Sequence, residues 1–346
     1  TRIQNGAVRG NAANLTFENN TFAWNAAAGL SVIGPDSVVR GNLSAYNGQL
    51  GIHGTRADRL LLEANVIVHN NQERFNILWE AGGLKITGSR RMIWRENVVA
   101  HNQGIGMWCD ISCFNTTIVR NVVRDNSDKG INYEISANAI IASNVAVNNG
   151  YGININESNN VSIYNNTLVR NGTGIRVHEG TRTNDNPQTQ AQIPWDVSGI
   201  VIENNLFVDG QQNSKEQVLV IDFRNNQARK SADQMLSSLN YNAYYRADPT
   251  LPPALVRLST TIGEVEIDDL ETLRTTAGYE QQGVSLDASA EPLFVDEAQG
   301  DFRLRADTPV RGVGAPLPPA VARALGVTQG APSDMGALAA PQLEDS

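Results

Sequence analysis

Two acidic residues occupy equivalent points of a repeated block in this sequence. The segments GMWCDIS and GINYEIS share the pattern Gly-x-x-x-acid-Ile-Ser, and they place Asp110 and Glu134 on successive repeats. Two carboxyl groups that lie close together push their pKa values apart, so one can donate a proton while the other acts as an ionised nucleophile. Glycoside hydrolysis uses such a pair. This chemistry depends on a fold that brings successive repeats side by side.

Asparagine marks the repeat to which both acids belong. The segments RENVVAHN, VRNVVRDN and ASNVAVNN are three of its units. The first Asn of each unit falls at Asn20, Asn42, Asn65, Asn97, Asn121, Asn144, Asn166 and Asn205. Five of the intervals are 22–24 residues long, and the intervals of 32 and 39 residues carry insertions. Such internal repetition is typical of a solenoid.

Apolar residues recur in the same rhythm, three positions before each of these Asn residues. They are Phe17, Val39, Leu62, Trp94, Ile118, Ile141, Ile163 and Ile202. Short β-rich runs between Gly and Asn turns predict strands, and a unit this short has no room for a crossover helix. Each strand must then pair with its counterpart one turn further on. The sequence therefore predicts an all-β, right-handed parallel β-helix with a ladder of Asn at a turn, where Asn tolerates left-handed backbone angles.

The repeat pattern also predicts the organisation of the chain. The units run to about residue 209, and QVLVIDF (217–223) reads as one further strand. We therefore predict a β-helix over residues 1–223, which carries the functional face. Residues 224–346 are predicted to cap and pack against it, because the open ends of a solenoid need a cover. This segment includes a short helix in DDLETLRTTAGYE and ends in a loose tail rich in Pro, Ala and Gly.

Composition excludes several classes of protein. Charged residues make up 18% of the 346 residues and the net charge is −9, which disfavours nucleic acid as a partner. There is no apolar run long enough to span a membrane and no recognisable signal peptide. The first residues already read as repeat, so we expect the chain to begin partway into a longer protein. A secreted or periplasmic location is expected, and the oligomeric state is not predicted.

The cysteines and histidines offer little metal chemistry. Cys109 and Cys113 are too few for a disulfide scaffold, and Cys109 falls at an inward position, which favours a buried free thiol. There is no Cys/His spacing typical of zinc. We therefore predict no metal or cofactor, with calcium on Asp110 and Glu134 kept as an alternative because it prefers hard oxygen ligands.

The strand that follows the Gly of each unit defines a polar face. Side chains alternate along a strand, so positions two and four after the Gly are predicted to face solvent. On successive repeats these positions hold Lys85, Trp108, Asp110, Asn132, Glu134, Asn154, Asn156, Arg176 and His178. Adjacent strands lie about 4.8 Å apart, which is near the separation of about 5–5.5 Å between the carboxyl groups of retaining glycosidases. Trp108 offers a plane on which a sugar ring can stack, and the Asn and Arg side chains can bind hydroxyl groups.

Two insertions flank this face. The segment 72–81 leads into the Lys85 strand and brings Trp79 and Glu80, which are further predicted substrate-binding residues. The segment 180–196 follows the His178 strand and brings Asp185 and Trp195 as possible walls. Long loops on one side of a solenoid often mark the binding side.

The pairing MWCDIS and INYEIS on successive units of an Asn-ladder β-helix resembles glycoside hydrolase family 120, the β-xylosidases. The resemblance covers residues 80–180. It implies that Asp110 is the nucleophile, that Glu134 is the general acid/base, and that the substrate carries a β-linked xylose or a similar sugar. Members of that family are longer and carry a further β-rich region that has no counterpart in this sequence.

Three functions follow from the same face, all with a carbohydrate partner. The first is a retaining glycoside hydrolase. The second is a polysaccharide lyase or epimerase, in which Lys85, Arg176 or His178 neutralises a uronate and abstracts its C5 proton, with calcium as a possible aid. The third is a glycan-binding β-helix without catalysis, which uses the same Trp and Asn side chains.

Overall fold

The protein is described by a computed structural model that covers residues 6–210, 217–223, 230–289 and 291–338. Along the chain the strands are β1 Gly6–Asn11, β2 Thr16–Glu18, β3 Thr21–Ala23, β4 Ala28–Ile33, β5 Val38–Arg40, β6 Leu43–Ala45, β7 Leu50–Thr55, β8 Leu61–Glu63, β9 Val66–Val68, β10 Gly82–Thr87, β11 Ile93–Arg95, β12 Val98–Ala100, β13 Ile105–Asp110, β14 Phe114–Val119, β15 Val122–Arg124, β16 Lys129–Glu134, β17 Ala137–Ala142, β18 Val145–Val147, β19 Tyr151–Asn156, β20 Asn159–Tyr164, β21 Thr167–Asn171, β22 Thr173–Glu179, β23 Ile200–Glu203, β24 Leu206–Gly210, β25 Leu219–Phe223, β26 Leu236–Asn240, β27 Ala243–Tyr245, β28 Val256–Ser259, β29 Glu264–Ile267, β30 Val284–Ser285, β31 Phe294–Asp296 and β32 Asp301–Leu304. The helices are α1 Ala232–Met235, α2 Leu270–Ala277, α3 Pro319–Leu325 and the 3-10 turn Glu297–Gln299.

Three long sheets run the length of the coil. Sheet A takes β1, β4, β7, β10, β13, β16, β19, β22, β25, β28 and β29, in that order. Sheet B takes β2, β5, β8, β11, β14, β17, β20, β23 and β26, and sheet C takes β3, β6, β9, β12, β15, β18, β21, β24, β27 and β30. Successive strands of one sheet are parallel, except that β29 returns antiparallel to β28. The chain therefore coils through three strands per turn, and the predicted parallel β-helix is confirmed.

The interior of the coil is apolar, as the repeat predicts. The residues three positions before the ladder Asn are fully buried from Val39 to Ile202, and Phe17 on the first turn is partly buried. Burying side chains of this size stabilises the fold by about 1.5–3 kcal/mol each. Trp94 and Tyr133 are the largest of the fully buried side chains.

The Asn ladder is present, but its backbone differs from the prediction. Each ladder Asn bonds the next: Asn97 donates from its backbone N–H and its Nδ2 to Asn121 Oδ1 at 3.0 and 2.9 Å. The left-handed backbone angle belongs to the preceding residue, with φ of 58° at Glu96 and 56° at Arg120. The turn needs one left-handed residue to reverse direction, while the Asn itself aims its amide into the turn to bond carbonyls there.

A second Asn ladder runs beside the first, five residues further along each unit. Asn102 donates from Nδ2 to Asn126 Oδ1 at 2.9 Å, and Asn126 donates in the same way to Asn149. This ladder was not predicted, although the final Asn of RENVVAHN and of VRNVVRDN already indicated it.

The first ladder ends on a buried carboxyl group. Asn205 donates to Asn242, and Asn242 donates to Glu280 from Nδ2 at 2.6 Å and from its backbone N–H at 3.1 Å. Tyr244 adds its hydroxyl at 2.8 Å. Burial raises the pKa of Glu280 to about 7, although these donors oppose the shift.

Glu280 should make stability depend on pH between about 4.5 and 7. Its folded pKa of about 7 lies above the usual value of 4.5, so folding favours the protonated form. The contribution of Glu280 to stability is then greatest below pH 4.5 and falls, by up to about 3 kcal/mol, as the pH rises through 7. We expect Glu280→Gln to flatten this part of the stability profile in urea unfolding. The exposed Glu271→Gln is the control, and a wild-type slope in Glu280→Gln would refute the assignment.

The coil continues past the boundary predicted at residue 223. β26, β27, β28 and β30 all pair with strands of the three sheets. The predicted short helix is confirmed as α2, which starts at the N-cap Asp269. Its Leu270 and Leu273 are buried in the same apolar cluster as Leu258 and Ile267, so α2 covers the core at this end.

The last part of the described chain packs along the outside of the coil. Leu293 and Phe294 join a buried cluster with Val145 and Val169 of sheet C. Helix α3 buries Val321 against sheet B. The predicted loose tail is therefore wrong as far as residue 338, because these apolar side chains cover surface that the sheets would otherwise expose. Residues 339–346 of that predicted tail lie outside the described residues.

The cysteines form a disulfide, which corrects the prediction of a free thiol. Cys109 lies at the inward position of β13, and Cys113 follows after a tight turn. Ile111 and Ser112 in that turn have φ of 52° and 64°, which brings the two Cα atoms to 6.3 Å. The turn geometry, which the sequence pattern does not reveal, makes the pairing possible. Among the described residues, no helix combines the length and apolar character needed to cross a membrane.

Candidate functional site

The polar face lies on sheet A, in two columns. The register pairs Lys85 with Trp108, Trp108 with Asn132, Asn132 with Asn154 and Asn154 with Arg176. The second column lies two residues further along each strand and holds Asp110, Glu134, Asn156 and His178. The predicted alignment of Asp110 and Glu134 on neighbouring strands follows from this register.

The face is not open to solvent, which corrects the predicted exposure. Lys85, Trp108, Asn132 and Asn154 are all buried, and Asp110 is only 6% exposed. The insertions that flank the face account for part of this cover. Lys85 Nζ donates to the carbonyl of Trp79 in one insertion at 2.6 Å, and Arg182 in the other contacts Glu134.

Asp110 is a buried carboxylate with one cationic partner. Lys85 Nζ lies 2.8 Å from its Oδ2, and the backbone N–H of Ile111 donates to Oδ1 at 2.8 Å. Burial raises the pKa of Asp110, Lys85 opposes the rise, and the charge of Glu134 adds to it. The register of β13 and β16 puts the two carboxyl groups on adjacent strands, which is the geometric reason for this influence.

Glu134 accepts hydrogen bonds on both oxygens. Trp108 Nε1 and Asn132 Nδ2 donate to Oε2 at 3.0 and 2.9 Å. Asn156 Nδ2 donates to Oε1 at 3.1 Å, and Arg182 Nη2 lies 2.7 Å from the same oxygen. A carboxylate offers about four lone-pair positions, so these four donors fill it.

Lys85 and Trp108 form the wall on the N-terminal side of the pair. Lys85 Nζ lies 3.6 Å from the centre of the Trp108 ring, which is a cation–π contact. Trp79 takes part through its backbone carbonyl, and its side chain is 56% exposed. Glu80 is half-buried; burial raises its pKa, with Lys85 opposing the rise and Asp110 adding to it.

Arg182 and Glu157 were missed by the sequence analysis. Glu157 is buried just after β19 and holds Arg182 twice, through the backbone N–H at 2.8 Å and through the guanidinium. These two contacts hold the Arg182 guanidinium against Glu134. The Arg182 side chain remains 42% exposed. Neither residue stands at a repeat position that faces the site. Trp195 of the same insertion donates from Nε1 to Ser112 Oγ at 3.3 Å, so the segment spans from β22 to the end of β13.

Arg176 and His178 converge on a third residue that was also missed. Asp222 of β25 accepts from Arg176 Nη2 at 2.6 Å and pairs with His178 Nδ1 at 2.7 Å. Burial raises the pKa of Asp222, but these two partners outweigh it and bring the pKa down to about 2. The sequence QVLVIDF already indicated this residue. Its Asp222 lies two residues after Val220, and the alternation that places Arg176 and His178 on the face also places Val220 and Asp222 there.

The described residues contain no group of three or more His, Cys, Asp and Glu side chains arranged to hold a metal ion. Asp110 and Glu134 each already face a cation, Lys85 and Arg182 respectively. A calcium ion would have to compete with these ion pairs. Calcium remains an alternative that none of these contacts favours.

The comparisons with known proteins support the fold. The family described as the right handed beta helix region matches residues 5–168. A search of curated protein sequences finds no match. The protein is a right-handed parallel β-helix, as predicted.

Several solved structures are similar to this protein at low sequence identity. The periplasmic alginate epimerase AlgG is 21% identical with a TM-score of 0.46, over 61% of this chain and 50% of AlgG. XylC, solved in complex with xylose, is 15% identical with a TM-score of 0.49, over 75% of this chain and 39% of XylC. The pectate lyase Pel9A is 13% identical with a TM-score of 0.42, over 97% of this chain and 87% of Pel9A. The matches to AlgG and XylC thus span half or less of those proteins.

Proposed function

We propose that this protein is a carbohydrate-active enzyme, and specifically a retaining glycoside hydrolase of the xylosidase type. One observation carries the proposal: Asp110 and Glu134 end neighbouring strands one residue after the paired Cys109 and Tyr133, and the Trp108 indole donates to Glu134. The strand spacing of about 4.8 Å suits the separation of about 5–5.5 Å that retention requires.

The proposed reaction has two steps. Glu134, carrying a proton, donates it to the glycosidic oxygen while Asp110 attacks the anomeric carbon, so the leaving sugar departs and a glycosyl ester forms. Glu134 then takes a proton from water, the water oxygen attacks the same carbon, and Asp110 is released as a carboxylate. The Lys85 ammonium pairs with Asp110 and opposes the rise in its pKa, which favours the ionised form that attacks.

Arg182 must withdraw for Glu134 to act as an acid. The four donors fill the lone-pair positions of the carboxylate, so a proton can enter only where one donor leaves. Arg182 is the donor carried by a loop rather than by sheet A. Substrate binding would therefore displace Arg182, which stays anchored to the buried Glu157.

The charges of the face favour a neutral sugar over a polyuronate. Lys85, Arg182 and Arg176 each already pair with a carboxylate of the protein: Asp110, Glu134 and Asp222 respectively. A uronate substrate would have to compete for these cations. The lyase or epimerase alternative has one observation in its favour: Asp222 holds His178 at Nδ1, which leaves the other ring nitrogen available as a base.

A substrate panel tests the proposal. Wild-type protein is incubated with nitrophenyl glycosides, including the β-xyloside, and with uronate polysaccharides. We expect release of nitrophenol from at least one glycoside and no unsaturated product absorbing in the near ultraviolet. An unsaturated product would establish the lyase instead. Binding of a glycan without any turnover would support the non-catalytic alternative and refute the hydrolase.

A further inference from the structure

Two short chains of hydrogen bonds run from Glu134 towards the C-terminal end of the coil. In one, Asn132 donates to Glu134, and Asn154 donates from Nδ2 to Asn132 Oδ1 at 2.7 Å. In the other, Asn156 donates from Nδ2 to Glu134 Oε1 at 3.1 Å. A carboxylate can only accept, so the amide nitrogens must face Glu134. The chains therefore end on the Oδ1 atoms of Asn154 and Asn156.

Both of these acceptor atoms are buried and have no hydrogen-bond partner among the residues that the structure describes. In the ladders of the turns each Asn donates to the Asn of the following turn. The chains on this face run the opposite way, so the donor to their last Oδ1 would have to come from the following strand. On this face the next strand instead brings Arg176 and His178 to the matching positions. The Arg176 and His178 side chains bond Asp222 instead, so neither donates to the Oδ1 at the end of a chain. A buried acceptor left in this state costs stability, which a bound donor restores.

We infer that Asn154 and Asn156, with Arg176, His178 and Asp222 beyond them, form a second sugar subsite on the C-terminal side of the carboxylate pair. The two Oδ1 atoms accept hydroxyl groups of the sugar next to the one that is cleaved. Asn156 lies one strand beyond Glu134, a step of about 4.8 Å, so an oligosaccharide runs along the axis of the coil. This placement rests on the proposed function, which puts the reacting sugar at Asp110 and Glu134.

The chemistry of the subsite selects a neutral sugar. Asp222 pairs with Arg176 through both oxygens, so the pair presents no free positive charge to a uronate. The two acceptors require donors, and sugar hydroxyls supply them. The Oδ1 atoms are shielded, so a covering side chain must yield when the sugar enters. Satisfying both acceptors compensates for that displacement.

The test compares a trisaccharide with a monosaccharide. Thio-linked analogues of xylotriose, cellotriose and trigalacturonate resist hydrolysis, and their affinities are measured by calorimetry beside those of the methyl monosaccharides. We expect wild type to bind a neutral trisaccharide at least about tenfold more tightly than the monosaccharide. Asn154→Ala should reduce this ratio by about 3- to 10-fold, the usual effect of one hydrogen bond.

Asn159→Ala is the matched control. Asn159 also carries a buried unpaired Oδ1, but it lies on sheet B, away from the face. Its ratio should equal that of wild type. If Asn154→Ala weakens both ligands in parallel, its role is only structural and the subsite is refuted. Failure of every trisaccharide to bind also refutes it, and tighter binding of trigalacturonate overturns the neutral-sugar assignment.

The two proposals can fail separately. If wild type cleaves no glycoside but still shows a trisaccharide preference that depends on Asn154, the hydrolase proposal falls and the subsite stands as a binding site. If wild type cleaves glycosides and Asn154→Ala leaves the ratio unchanged, the subsite falls and the hydrolase stands.

Discussion

Asp110→Asn and Glu134→Gln should each lower kcat by at least about 10²-fold on any glycoside that wild type cleaves. Loss of a nucleophile or of a general acid typically removes 10²- to 10⁴-fold or more of an enzyme's rate, about the range expected here. Asn at position 110 cannot attack the anomeric carbon, and Gln at position 134 cannot donate the proton. Initial rates with the best nitrophenyl glycoside measure both effects.

Asp125→Asn is the matched control for these variants. Asp125 is a carboxylate in a turn of the same coil, paired with Arg124 at 3.0 Å and away from the face. Its kcat should stay within about twofold of wild type, since surface substitutions rarely have large effects. Melting curves show whether each variant is folded. Full activity of folded Asp110→Asn would contradict the assignment.

Covalent trapping separates the two carboxylates by role. A 2-deoxy-2-fluoro glycoside with a good leaving group slows the second step, so the glycosyl ester accumulates. Peptide mass spectrometry should find the sugar on Asp110. A sugar found on Glu134 instead would mean that Glu134 is the nucleophile and Asp110 the general acid/base. Such a reversal has a physical basis, because burial raises the pKa of Asp110 while donors surround Glu134.

The fold could be predicted because its strongest determinants repeat. An apolar residue and an Asn return every 22–24 residues at Ile118 and Asn121, Ile141 and Asn144, and onward. This period fixes both the strand and the register, since a shift by one residue would turn Ile118 outwards. The length of the coil could not be predicted, because after residue 210 the units no longer follow one period.

Features set by turn geometry escaped the sequence analysis. The left-handed position is held by Glu96, Arg120 and Ser143 in turn, and these residue types share no pattern. The disulfide between Cys109 and Cys113 depends on the same kind of local turn. In a parallel coil the neighbouring turn holds such angles in place, so a composition typical of turns is not required.

The candidate site divides in the same way. Lys85, Trp108, Asn132 and Glu134 come from regular strands, and alternation alone placed them on one face. Their burial did not follow from alternation, because part of the cover comes from the insertions. Arg182 contacts Glu134 from such an insertion. Because the insertion does not follow the repeat, the position of Arg182 in the sequence does not predict which strand it faces. The roles of all these side chains stay predictions until activity is measured.

The fold itself rests on the Asn ladder, and Asn121 shows why. Its Nδ2 donates to the carbonyls of Trp94 and Val119 at 3.0 and 3.1 Å, and to Asn144 Oδ1 at 2.9 Å. Its Oδ1 accepts from the backbone and side chain of Asn97. The residue is fully buried, so no solvent replaces these bonds if the amide is lost.

Asn121→Ala should therefore lower the free energy of unfolding by about 3–5 kcal/mol, because several buried groups lose their partners at about 1–3 kcal/mol each. Urea unfolding followed by circular dichroism measures the change. Asn20→Ala is the control at the same ladder position, where the side chain is exposed and its Nδ2 donates to the carbonyl of Glu18 at 3.0 Å and to Asn42 Oδ1 at 3.3 Å. Water can replace these bonds at an exposed site, so a loss below about 1 kcal/mol is expected there. Equal losses in the two variants would mean that burial of the amide ladder is not what stabilises the coil.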